Sequence, residues 1–264
     1  MPAHNLLDNS DFRNPVNQRG QTSYTGVANA PVYTIDRWLF SWQGGAVLTV
    51  GDGYIQHNGY KLQQYFEKSL DANKTYTAAL CLTDGTIYVY SGKPSDGFGS
   101  WDNTIWVSSS YFRIEKGMAQ PIKWAALYEG AYDASTLPAY VPKGYAAELA
   151  ECQRYYENSW FGADKTKNLE MHGVAYKSTG LDVWVKYRVP KRIVATVTLY
   201  PVKGTDGWRI YKGQAYRNLD TVSARYKYHD GFLLNAIKGS EDTTTWTDGE
   251  AMLVYGHWEA SADL

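Results

Sequence analysis

Two short stretches gather side chains suited to a hydroxylated ligand. Residues 95–106 hold Asp96, Phe98, Trp101, Asp102, Asn103 and Trp106, and residues 205–217 hold Asp206, Trp208, Arg209, Tyr211 and Arg217. A pyranose carries C–H bonds on one face and hydroxyls at its rim. An indole or phenol face beside amide, carboxylate or guanidinium groups therefore matches both parts of the sugar. The candidate ligand-binding residues are Trp101, Asp102, Asn103, Trp106, Trp208, Arg209 and Tyr211, with core packing as the competing use of each ring. Trp101 stands apart because Gly99, Ser100 and Asp102 around it offer little apolar context for burial.

Catalysis needs groups that converge, and the usual signatures are missing. His4, His57, His172, His229 and His257 are scattered, without a second ligand at metal-binding spacing. There is no GxSxG, Walker-type loop or GxGxxG, so nucleotide and acyl-transfer chemistry are not expected. Asp96 and Asp102 supply two loop carboxylates of the kind a glycosidase uses, but turns select Asp for backbone reasons. The chain is therefore read as a non-enzymatic binder, with a polysaccharide depolymerase as the enzymatic alternative. Asp8 and Asp11 lie in an N-terminal loop that either holds a structural Ca²⁺ or uses its carboxylates to cap turns. No cofactor is expected.

Composition narrows the partners. Lys and Arg number 26 against 27 Asp and Glu in 264 residues, so there is no net field to gather nucleic acid or an anionic membrane. No apolar run is long enough to span a bilayer, and the opening residues lack the basic and apolar regions of a signal peptide, so folding in a cytoplasm is expected. Cys81 and Cys152 lie in unrelated contexts with no CxxC, which suggests two buried thiols rather than a bridge. The 23 Tyr and 10 Trp outnumber 7 Phe, a balance that suits half-exposed positions on sheets.

The elements that must position these residues read as strands. Gly, Asn, Asp and Pro punctuate short runs rich in Val, Ile, Thr, Tyr and Trp, which is the grammar of an all-β sandwich. Residues 75–82 and 86–91 flank Asp84-Gly85, a hairpin turn signal. In residues 181–189, Leu181, Val183, Val185, Tyr187 and Val189 alternate with Asp182, Trp184, Lys186 and Arg188, giving one core face and one wet face. Pro138 and Pro142 mark a linker, so two domains are expected, residues 1–142 and 143–264. A single helix is expected over residues 145–156. Its stripe of Tyr145, Leu149, Cys152 and Tyr156 either packs on its own sandwich or forms a seam between three symmetry copies. The fold class is all-β, two β-sandwiches joined by a short linker helix.

Several strings, taken in order, resemble phage and prophage tail-fibre receptor-binding proteins. Residues 5–12 (NLLDNSDF), 14–20 (NPVNQRG) and 33–38 (YTIDRW) are similar to the start of a carbohydrate-module-like jelly roll. Residues 114–117 (IEKG) and 123–130 (KWAALYEG) are similar to its last strands, and 148–156 (ELAECQRYY) to the helix that follows. Residues 189–192 (VPKR), 196–200 (TVTLY) and the final seven residues look like a fibre-tip sandwich, although Lys191 stands where methionine is usual and Ala195 where proline is usual. The resemblance implies a virion appendage assembled in the host bacterial cytoplasm. It also implies a homotrimer that contacts other tail or baseplate proteins and adheres to a bacterial surface glycan. A purely structural appendage is the alternative. No sugar-contacting residue is carried over.

Overall fold

The computed structural model describes residues 3–42, 44–160, 169–202 and 207–263, and the chain divides into two compact units, Met1–Cys152 and Gln153–Asp263. The architecture is all-β with one short helix among the described residues.

The first unit opens with β1 (Ser23–Thr25), β2 (Val32–Tyr33), β3 (Leu39–Phe40), β4 (Val47–Gly51), β5 (Tyr54–Asn58) and β6 (Tyr60–Tyr65). It continues through β7 (Tyr76–Leu82), β8 (Ile87–Gly92), β9 (Phe98–Gly99), β10 (Ile105–Val107), β11 (Tyr111–Lys116) and β12 (Ile122–Glu129). These pair antiparallel into two six-stranded sheets, ordered β1-β4-β5-β12-β7-β8 and β2-β3-β6-β11-β10-β9. Each strand sends alternate residues inward. One core therefore takes Leu48, Ile55, Leu80, Ile122 and Leu127 from the first sheet and Phe40, Leu62, Ile105, Phe112 and Ile114 from the second. The β7–β8 hairpin turns at Asp84-Gly85 as its sequence predicts, with Gly85 at φ 91°.

The Pro-containing segment expected as a linker packs instead. Ala79, Cys81, Trp124, Ala126 and Tyr128 make an apolar outer face on the first sheet, and Tyr132, Leu137 and Tyr140 cover it. Trp124 and Tyr140 stack with centroids 4.7 Å apart and planes 7° from parallel. Covering this face removes from water surface worth about 25 cal/mol per Å², which is why the segment belongs to the unit rather than bridging away from it. Helix α1 (Tyr145–Gln153) follows, and all but its last residue falls in the first unit rather than the second. It stops three residues short of the expected end because Tyr156 is taken into a strand. Cys81 and Cys152 are both buried and unbridged.

In the second unit the strands are β13 (Tyr156–Asn158), β14 (Glu170–Lys177), β15 (Gly180–Lys186), β16 (Thr196–Tyr200) and β17 (Arg209–Lys212). They are followed by β18 (Ala215–Arg225), β19 (Gly231–Lys238), β20 (Ala251–Tyr255) and β21 (His257–Ser261). The expected second sandwich is not what forms. Strands β14-β15-β19-β18-β17-β20 close into a barrel, and β13-β21-β16 make a separate three-stranded sheet. Closure comes from β14 pairing with β20, from Glu170 opposite Tyr255 to Val174 opposite Ala251. The alternation of β15 holds: Leu181, Val183 and Val185 are buried while Trp184 and Lys186 face outward. Beside the barrel, the buried Lys191 ammonium donates to Glu157 Oε2 at 2.7 Å and to the carbonyls of Gln153 and Val189 at 2.6 and 3.0 Å. All three of its protons are thereby placed.

Candidate functional site: an aromatic and guanidinium face

In β10, Ile105 and Val107 enter the core, so Trp106 between them points outward. Pairing sets Trp106 opposite Arg113, Arg113 opposite Gln63, and Tyr111 opposite Tyr65. These residues share the outer face of the second sheet. The loop before β10 brings Trp101 over them, since Ser100 donates to the Ile105 carbonyl at 2.7 Å and Asp102 takes φ 56° to complete the turn. Gly97 makes room. A Cβ there would lie 2.3 Å from the Trp106 ring, and its φ is 67°.

The result is a rack of planar groups. Trp101 and Trp106 meet edge to face at 5.0 Å, and the Arg113 guanidinium lies 4.2 Å from the Tyr111 ring centroid and 5.8 Å from that of Trp101. Trp101 is 52% exposed. Below the rings, Arg113 Nε donates to Gln63 Oε1 at 2.9 Å and Nη1 to Glu115 Oε1 at 3.2 Å. Burial pushes the Glu115 carboxyl above its ordinary range, against the opposing pull of Arg113. Gln63 Nε2 and Glu115 Oε2 are buried with no hydrogen-bond partner among the described residues. The network fixes the guanidinium plane, and the plane orients the rings above it.

Trp101, Asp102, Asn103 and Trp106 are thus brought together. Asp102 and Asn103 are exposed at the loop tip, and Asp96 is exposed nearby in sequence, whereas Phe98 is buried in the core. Gln63, Tyr111, Arg113 and Glu115 were not singled out from the sequence. The available signal was β11 itself, where Arg113 and Glu115 alternate with Phe112 and Ile114.

The second set is split by the barrel wall. Trp208 is 5% exposed and packs in the interior with Ile210, so its ring is a packing group. Arg209 and Tyr211 take the other side, and Tyr211 meets Tyr216 at 5.2 Å. Arg209 and Arg217 line one cavity of about 760 Å³. Asp206 lies outside the described residues.

The N-terminal acids are already neutralised by cationic side chains. Asp8 accepts from Arg37 Nε at 3.1 Å and Lys143 Nζ at 3.2 Å, and Lys143 also reaches Glu151 at 2.6 Å. Asp8, Glu148 and Glu151 place carboxylate oxygens within 4.8 Å of one another. The Lys143 ammonium and the Arg37 guanidinium are the counter-ions of this cluster. Burial pushes Asp8 up, but Arg37 and Lys143 outweigh it and hold the carboxyl below its usual range. Asp11 pairs with Arg13 at 2.6 Å. Comparison with protein-family models, curated proteins and solved structures finds no match to this chain.

Proposed function

We propose that the chain is a phage or prophage tail-fibre receptor-binding protein that attaches the virion to a bacterial surface glycan without turning it over. On this reading the first unit is a carbohydrate-module-like jelly roll, its two six-stranded sheets closed over one core, and the second unit is the fibre tip. The observation that carries the reading is the rack of Trp101, Trp106 and Tyr111, exposed or partly exposed above a buried polar network centred on Arg113. Ring faces receive the C–H patch of a pyranose, while the exposed Asp102 and Asn103 side chains offer hydrogen bonds to its rim. Nothing in this arrangement needs a metal or a proton relay.

A shallow face of this kind binds one sugar weakly, so the reading includes a homotrimer whose three faces act together. The exposed aromatic side chains of the barrel unit, Trp184 and Tyr228 with ring centroids 5.8 Å apart, support such an assembly, because large apolar groups left in water favour burial between copies.

A glycan array probed with the full chain and with Trp101→Ala tests the reading. The wild-type protein is expected to bind a bacterial surface glycan, and the variant to lose about tenfold or more in affinity, as removal of a central aromatic anchor does. Equal binding by both proteins, or no binding by either, overturns it. Release of oligosaccharides from capsule polysaccharide would show a depolymerase instead.

A further inference from the structure

The barrel carries a cavity with chemistry of its own. It lies at the end where β17 begins and β19 ends, between Arg209, Tyr216, Arg217, Asp220, Glu241 and Asp242. Register sets its inner side. Arg217 stands opposite Ile210, which is fully buried, so Arg217 points to the interior side of the wall. Its Nε is buried there without an acceptor among the described residues. Tyr216, one residue earlier, turns outward to the rim and is 52% exposed.

The acids differ in how far they are committed. Asp220 Oδ2 accepts from the Ser240 amide at 2.9 Å. Asp242 accepts from the Thr244 amide and hydroxyl at 2.9 and 2.7 Å and from Trp246 Nε1 at 3.1 Å. Glu241 is exposed. Two guanidiniums and three carboxylates thus share one lining. An anion would meet the carboxylates and a cation the guanidiniums. A neutral polyol avoids both conflicts, because each hydroxyl donates and accepts at once.

We propose that this cavity binds a neutral oligosaccharide. The Arg217 guanidinium, which lines the cavity, donates to a sugar oxygen, Glu241 accepts from a hydroxyl, and the Tyr216 ring receives a C–H face. The volume falls in the range of small-molecule sites, roughly 300–1,000 Å³, and barrel mouths are a common place for them. The inference rests on reading the chain as a glycan binder, but it places a second site in the other unit, so the two can fail separately.

Calorimetric titration of the full chain with maltose, cellobiose and lactose provides the test. A hyaluronan disaccharide supplies the carboxylate-bearing comparison and a fully deacetylated chitin dimer the amine-bearing one. At least one neutral disaccharide is expected to bind, with both charged ligands at least tenfold weaker. Neutral-sugar binding should persist in Trp101→Ala and fall tenfold or more when Arg217→Gln is added. Tyr216→Ala, at an exposed position, serves as a second variant should Arg217→Gln lower the melting temperature. Failure of every neutral disaccharide to bind overturns the proposal, as does equal binding of a charged one or unchanged affinity in both cavity variants. Loss of all binding in Trp101→Ala alone would sink this proposal and leave the platform reading standing. Binding insensitive to Trp101→Ala but removed by Arg217→Gln is the expected result, and it leaves the platform reading to be decided by the glycan array.

Discussion

His57 sits in the first unit's core with its ring 5.7 Å from Phe40, and burial pushes its pKa down to about 4. The folded protein therefore resists a proton that the unfolded chain accepts at about 6.5. Its contribution to stability is complete above pH 6.5 and is lost as pH falls from there towards 4, amounting to about 3 kcal/mol over that window. His57→Leu is expected to flatten this part of the stability profile, which urea denaturation at pH 7.5 and pH 4.5 would reveal as a smaller gap than in wild type. Lys191 is a sharper case, because it is fully buried against Glu157. Lys191→Met is expected to cost about 3–5 kcal/mol, since among the described residues it leaves the buried carboxylate with Arg188 alone for a partner. Adding Glu157→Gln should return most of that loss in the same melts. The candidate site was legible in part for related reasons. Trp101 and Trp106 could be picked out because polar and small residues surround the first and a strand alternation turns the second outward. Arg113, Glu115 and Gln63 could not, because a charged residue on a strand reads as solvated until pairing with β6, some fifty positions away, places it under a ring.

Strands and turns were legible wherever local chemistry decides them. The Asp84-Gly85 hairpin and the alternation of β15 required only a positive φ and a period of two. Barrel closure was not legible, since an alternating strand looks the same in a sandwich and in a barrel, and the pairing of β14 with β20 joins segments about eighty residues apart. The helix stripe misled at its last member for a comparable reason. Tyr156 pairs with Ser261 at the far end of the chain, and that sheet outcompetes another helical turn. Two glycines separate local cost from positional cost. At Gly85 a Cβ would meet nothing within 4 Å, so Gly85→Ala should lower stability by only about 1–2 kcal/mol, from the φ alone. At Gly97 the same change also drives a Cβ into Trp106. Gly97→Ala should therefore be the more destabilising variant by chemical denaturation, and it alone of the two should weaken glycan binding.

In solution the protein is expected to be a trimer, with a mass by light scattering of three chains of 29.8 kDa each. A single-chain mass at micromolar concentration would defeat this and the avidity argument with it. Trp184→Glu places a charge where Trp184 is 46% exposed, on the outer side of a wall whose inner side is already filled. It should shift the mass towards monomer while leaving the melting temperature of the dissociated chain little changed. The three-stranded sheet beside the barrel has a further consequence. Tyr156 lies opposite Ser261 and Asn158 opposite Glu259, so the second unit starts and finishes at one place. A segment built this way is a cassette. It can be spliced into a host loop through a single pair of neighbouring joints, and joining those ends directly lets the chain be reopened at a surface turn elsewhere. Exchange of such a unit between scaffolds then requires only a matching gap, not a matching shape.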